Sequence, residues 1–255
     1  MALLAHEVAV AQGVSMSLLL KVEGLARTFV ARNSSIEVFK DVSFEINQGE
    51  VVVIKGRSGE GKSTMLGILS GLDRQTAGSV IFAGEKLESM TVSELAELRA
   101  QKIGMIFQSF NLIGSWTAVE NVEAVLMHRG MNSEERYEKA VAVLRELGLG
   151  ERLDNYPSEL SVGQQQRVAV ARTLVNDPVL ILADEPTGDV DAETAQEVIE
   201  LLLPRVRNGT SALLVATHGA FNTKCADRIL ILDKGRIISD NTVNSQSKSQ
   251  GTKDD

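Results

Sequence analysis

Leu160-Ser161-Val162-Gly163-Gln164-Gln165-Gln166-Arg167 stands between two other informative runs, and their order decides how this chain is read. Upstream, Gly56 to Thr64 reads GRSGEGKST, which fits the phosphate-loop pattern G-x-x-x-x-G-K-[ST]. Downstream, Val179 to Glu185 reads VLILADE, an apolar strand closed by two carboxylates. The outer runs alone announce a site for a nucleoside triphosphate. The middle run adds a second place for an anion, because Ser161 stands where a helix N-cap stands and the N–H groups of Val162, Gly163 and Gln164 would be free.

Each run has its chemistry. Glycines 56, 59 and 61 let backbone N–H groups turn inward around phosphates, with Arg57, Ser58, Glu60 and Thr64 completing the loop and the next helix aimed at the same charge. Lys62 would reach the β- and γ-phosphates and the Ser63 hydroxyl would coordinate Mg²⁺. Asp184 would hold Mg²⁺, and Glu185 would orient or deprotonate the attacking water. Gln108 follows the strand-like run Lys102–Phe107 (KIGMIF), where its amide can touch Mg²⁺ or that water. His218 ends the run Ala212–Thr217 and could hold the γ-phosphate, although a single histidine at a strand edge also serves as ordinary structure. Glu60 puts a negative charge inside the loop, which is tolerable only with its side chain turned outward.

Around these runs the pattern is α/β. Leu18–Val22 and Phe39–Ile46 read as strands, the second alternating apolar and polar as a half-buried antiparallel strand does. Val51–Lys55 is a continuous apolar strand feeding the loop, and Lys62–Leu72 reads as a helix stopped by Gly71. Ser93–Ala100, Ala118–Met127 and Glu134–Leu147 have helical spacing. The helix Gln164–Val175 leads into strand Val179–Ala183. Helix Ala192–Leu203, which Pro204 should end or kink, then precedes strands Ala212–Ala216, Ile229–Leu232 and Arg236–Ile238. Residues 1–17 form an N-terminal extension, with Met16 a plausible start, and residues 239–255 are too polar to order and form a disordered tail.

The chain has 255 residues, 44% of them hydrophobic, with a formal charge of −8. That charge argues against a protein built to grip nucleic acid, which needs clustered cations. The single cysteine, Cys225, allows no internal disulfide and fits a reducing cytosol. No run reaches the roughly 18 apolar residues of a membrane span, and the N-terminus lacks the positive region of a secretory signal. Service to a membrane process would require a separate membrane chain.

From Leu18 to Ile238, nearly the whole chain, these elements resemble the nucleotide-binding domain of ATP-binding-cassette (ABC) transporters. Gly71-Leu72-Asp73 with Gly78, Ile106 to Leu112 (IFQSFNL) and Ala183 to Gly188 (ADEPTG) are similar to the lipoprotein-release, macrolide-export and cell-division group. The resemblance implies a phosphate-loop fold at residues 18–238 with a mostly parallel core sheet, an antiparallel β layer and a helical subdomain at about 93–165. It makes Gln108 the Q-loop, Ser161 to Gln164 (with Gly163) the signature, Asp191 the D-loop and His218 the switch histidine. Phe29 falls where the family sets an aromatic ring against adenine, although a phenylalanine in a β layer is also ordinary core. Val162 stands where the family's LSGGQ has its first glycine, which implies an altered rate.

The implied protein hydrolyses ATP with Mg²⁺ as a homodimer that sandwiches two nucleotides. It sits on the cytoplasmic face of the cell membrane and powers a separate permease with a large extracytoplasmic domain, for export or extraction of lipoproteins or hydrophobic compounds. Phe110, Leu112, Ile113 and Trp116, within Gln108–Val122, would dock that permease, with Trp116 open to a plain packing role. Mechanical signalling in place of transport, a cytosolic ABC ATPase and a phosphate-loop kinase or GTPase are the alternatives. Under the last, Leu160–Gln164 and His218 have no role.

Overall fold

A computed structural model of the chain describes residues 17–32, 34–186, 192–218 and 223–243, without the side chains of residues 192–197. Asp191, residues 1–16 of the expected extension and residues 244–255 of the expected tail lie outside the described residues.

Two sheets face one another. The smaller is antiparallel: β1 (Leu18–Ala31), β2 (Ser34–Asn47), β4 (Ala77–Phe82) and the short β5 (Glu85–Lys86), in the order β2-β1-β4-β5. The first strand is much longer than the Leu18–Val22 run suggests, because pairing with β2 resumes at Leu25 after an irregularity that spans Gly24 at φ 55°. The larger sheet holds β3 (Val51–Lys55), β6 (Ile103–Ile106), β7 (Leu180–Asp184), β8 (Ala212–Thr217), β9 (Arg228–Asp233) and β10 (Arg236–Thr242), in the order β10-β9-β3-β8-β7-β6. Strands β9-β3-β8-β7-β6 run parallel, and β10 is antiparallel to β9.

Alternation along these strands builds two cores. Val52, Ile54, Leu182 and Leu214 face the antiparallel sheet and α1 (Lys62–Leu69), which lies between the sheets through Met65 and Leu69. Val51, Val53, Ile181 and Val215 face the opposite side, where α3 (Ala118–Glu123), α4 (Ser133–Glu146), α5 (Val162–Leu174) and α6 (Ala192–Arg207) pack. A strand buried on both faces reads as an unbroken apolar run, which is why β3, β7 and β8 were recognisable.

Three expectations change. The helix α2 (Val92–Lys102) precedes β6 and packs Leu95 and Leu98 into the inter-sheet core, whereas Ala118, Val122 and Leu144 belong to the other. The helical layer therefore begins after β6 and not at residue 93. Of the end or kink expected at Pro204, the end does not occur: α6 runs to Arg207, because Val198, Leu202 and Val206, each 1% exposed or less, keep one stripe on the core across the proline. The tail begins later than 239, since Ser239 to Thr242 pair with β9 and Asp240 binds Arg228. As read from the sequence, Gly71 stops α1, at φ 69° with Leu72 N–H returning to the Gly67 carbonyl.

Helix α5 lies directly on β6. A Cβ at Gly104 would stand 2.5 Å from the Thr173 methyl, and the Thr173 hydroxyl donates to the Met105 carbonyl at 3.0 Å. Gly104→Ala is expected to cost about 1–3 kcal/mol by overpacking, read as a lower urea midpoint. Adding Thr173→Ser, which removes the methyl and keeps the hydroxyl, should recover part of the loss; an unchanged midpoint for Gly104→Ala would contradict this contact.

Candidate active site

The loop after β3 closes around one buried charge. Gly59 and Gly61 take φ 84° and 90°, where side chains are disfavoured. Gly61 also rests on β2, since a Cβ there would stand 2.3 Å from Val38 Cγ1 and 3.0 Å from Phe39 Cδ1. Lys62, 5% exposed at the start of α1, donates through Nζ to the carbonyls of Gly56 and Arg57, both at 3.0 Å. Arg57, Ser58, Gly59 and Ser63 are exposed, and Thr64 is half-buried. Glu60 departs from its outward expectation: its Oε2 is buried with no hydrogen-bond partner among the described residues. That oxygen lies 2.9 Å from the place of a Cβ on Gly56, so it fills the space the glycine leaves.

Parallel pairing sets the other half beside it. Lys55 pairs with Thr217 and Asp184 with Ala216, so β3, β8 and β7 end together. Functional groups gather at such carboxyl ends of parallel strands. Glu185 leaves β7 in the left-handed region at φ 44°, with its N–H held by the Ala216 carbonyl at 2.8 Å. Its carboxylate then reaches two cations or donors: Oε1 lies 3.5 Å from Lys62 Nζ and Oε2 lies 2.8 Å from His218 Nδ1. Burial pushes the Asp184 carboxyl above its ordinary range; the Ser63 hydrogen bond and Lys62 oppose that shift, and Glu185 adds to it.

The arrangement fits a hard cation on a phosphate. Asp184 Oδ1 is buried without a partner among the described residues, beside the Ser63 hydroxyl. Oxygen donors from one carboxylate and one hydroxyl, with the rest from phosphates and water, are what Mg²⁺ takes. Gln108 is exposed two residues beyond β6, one strand over from Asp184. Phe29 is 44% exposed, so it is not core; the Arg27 guanidinium lies 4.2 Å from its ring centroid. Phe29 shares the β1–β2 hairpin with the Val38–Phe39 pair that Gly61 touches.

The Ser161–Gln164 segment is a separate construction at the head of α5. Ser161 Oγ accepts from Gln164 N–H at 3.3 Å, and Gln164 Oε1 accepts from Ser161 N–H at 3.0 Å. This capping box engages the Gln164 N–H, so the free first-turn donors are those of Val162 and Gly163 rather than all three. Val162 is 51% exposed. Among the described residues, no hydrogen bond or ion pair joins this segment to the Gly56–Thr64 loop. It does meet the acidic turn through Gln166, 1% exposed, whose Nε2 donates to the Pro186 carbonyl at 2.6 Å. Sequence reasoning missed Gln166, because nothing local marks a partner so far along the chain.

The raised Asp184 carboxyl carries a sign. Its folded form holds the proton more tightly than the unfolded form, so stability falls as pH rises from the ordinary carboxylate value through the raised one. Asp184→Asn is therefore expected to raise the melting temperature of the nucleotide-free protein at neutral pH and to abolish most of the added stabilisation by MgATP. Thermal unfolding with and without MgATP checks both, and a lower melting temperature without ligand would contradict the first.

Comparison with known proteins identifies the family. Residues 39–188 match the ABC transporter family model. An uncharacterized ABC transporter ATP-binding protein of Thermotoga maritima is 46% identical over 202 residues, 79% of this chain and 86% of that protein. The macrolide export ATP-binding/permease protein MacB of Agrobacterium fabrum is 43% identical over 222 residues, 87% of this chain. This chain spans only 34% of that relative's length. A solved dimeric structure of the ATP-binding cassette MJ0796, in a post-hydrolysis state bound to ADP and Pi, superposes with a TM-score of 0.82 at 38% identity, covering 89% of this chain and all of that one (100%). Similarity of this extent, on a fold whose strand ends gather Lys62, Asp184 and Glu185, leads to one conclusion: the chain belongs to the ABC transporter ATP-binding family.

Proposed function

We propose that this chain is the ATP-hydrolysing subunit of an ABC transporter, working as a homodimer on a separate membrane permease. The observation that carries the reading is Glu185 held between Lys62 and His218, beside an Asp184 oxygen left without a partner. MgATP supplies the reactive γ-phosphate and the metal that shares its charge. Lys62 transfers its hydrogen bonds from the Gly56 and Arg57 carbonyls to the β- and γ-phosphate oxygens. Ser63 and Asp184 hold the metal, joined by Gln108. Glu185 orients the attacking water and takes its proton, and His218 holds the γ-phosphate. Phe29 stacks on adenine with Arg27 behind it.

The first-turn N–H groups of Val162 and Gly163 are left free by a cap that engages the N–H of Gln164. In this reading they close on the γ-phosphate of the second copy, with Asp191 on the same dimer boundary. Support for a dimer comes from the similarity to a cassette solved as one. Among the described residues no helix is long and apolar enough to cross a membrane. In this reading the membrane part is a separate permease, and this chain sits against it on the inner face of the membrane. In this reading the cargo is a lipoprotein or hydrophobic compound, and the likeness to macrolide-export relatives supports movement outward. Ile113 is 41% exposed and Phe110 and Trp116 are half-buried, while Leu112 packs onto the core, so the first three offer the docking surface.

Glu185→Gln removes the proton acceptor and keeps the shape. Turnover is expected to fall by about 10²–10⁴-fold, while ATP and Mg²⁺ convert the variant to dimer. Phosphate release and light scattering after size exclusion measure the two; undiminished turnover, or a monomer in ATP, would contradict the reading.

A further inference from the structure

Helix α5 carries more than the Ser161 cap. Six residues beyond Gln166, Arg172 reaches the segment that follows Gln108: Nη2 donates to the Phe110 carbonyl and Nη1 to the Asn111 carbonyl, both at 2.7 Å. Asn111 stands at φ 51°, so the chain turns sharply where the guanidinium grips it. Burial lowers the Arg172 pKa from its ordinary value while the group stays charged, and a guanidinium set on two successive carbonyls holds a backbone in position as well as in contact. Beyond the grip, Asn121 fixes the rest of the segment. Its Oδ1 accepts from Ile113 N–H at 2.8 Å, and its Nδ2 donates to the carbonyls of Ile113 and Trp116, each at 3.1 Å. The segment from Phe110 to Trp116 is thus held at both ends, on one side by the helix that Ser161 heads.

We propose that Arg172 is a positioning residue that ties the Phe110–Trp116 segment to the helix headed by Ser161, so that capture of nucleotide at Ser161–Gly163 displaces that segment. This rests on the proposed function, in which Ser161 and Gly163 meet the nucleotide of a second copy. Arg172 touches no reacting group; it acts through the backbone it holds.

Trp116 is the only tryptophan of the chain, so its emission reports this segment directly. In the Glu185→Gln background, adding ATP and Mg²⁺ should shift or quench Trp116 emission as the dimer forms. Arg172→Met in that background should still dimerise, with the emission change reduced at least threefold. Arg172→Lys, which keeps the charge and loses the fork, should give an intermediate change, and it decides the matter if the methionine variant does not fold or dimerise. Full emission change in a dimerising Arg172 variant would overturn the inference, as would dimerisation of the Glu185→Gln chain with no change at Trp116. No dimer from the Glu185→Gln chain itself would overturn the proposed function, and this inference with it.

Discussion

A lysine taken out of water is the constraint on which the site depends. Lys62 is 5% exposed, and a buried ammonium is tolerable only when hydrogen-bonded and matched by opposite charge. The match comes from three places: the Gly56 carbonyl, the Arg57 carbonyl and Glu185 Oε1. The first two require the loop to curl back on itself, which sets Gly59 and Gly61 at positive φ. The third requires β7 to end level with β3, which the intervening β8 provides by pairing in parallel with both. Glu185 then ties His218 to the same cluster. A local charge problem is thereby solved only by the global sheet order.

Helix α5 is the second organising element. Its far half lies on β6 through Gly104 and Thr173, while its head carries the Ser161 cap toward solvent. Gln166 holds the turn after Glu185, and Arg172 holds the turn after Gln108. One helix thus binds both loops that leave the sheet beside the acidic pair. Rigidity between these points follows from the backbone ladder of the helix itself, without any need for a long chain of side-chain contacts.

Much of this was legible in the sequence where the signal is local. Gly56 to Thr64 and Val179 to Glu185 are contiguous, and strands buried on both faces read as plain apolar runs. Gly71 as a helix stop was equally plain. What escaped depends on distant partners. Gln166 and Pro186 are far apart along the chain, as are Arg172 and Phe110, and no spacing rule joins them. Pro204 was judged by backbone chemistry, but the apolar stripe of Val198, Leu202 and Val206 prevails. The outward reading of Glu60 weighed its charge against phosphates and missed the room beside Gly56. The placement of α2 in the helical layer came from the family resemblance, and helical spacing could not correct it, since spacing identifies a helix and says nothing about which core receives its face.

The central claim is that a working site needs two copies of the chain, because the Ser161 cap and the Lys62 loop are separate constructions within one. Turnover per chain measured against protein concentration tests this most directly, with light scattering at each point. The account predicts that turnover per chain rises with concentration and levels off as dimer forms. Turnover per chain that stays constant down to concentrations where only monomer is found would contradict it.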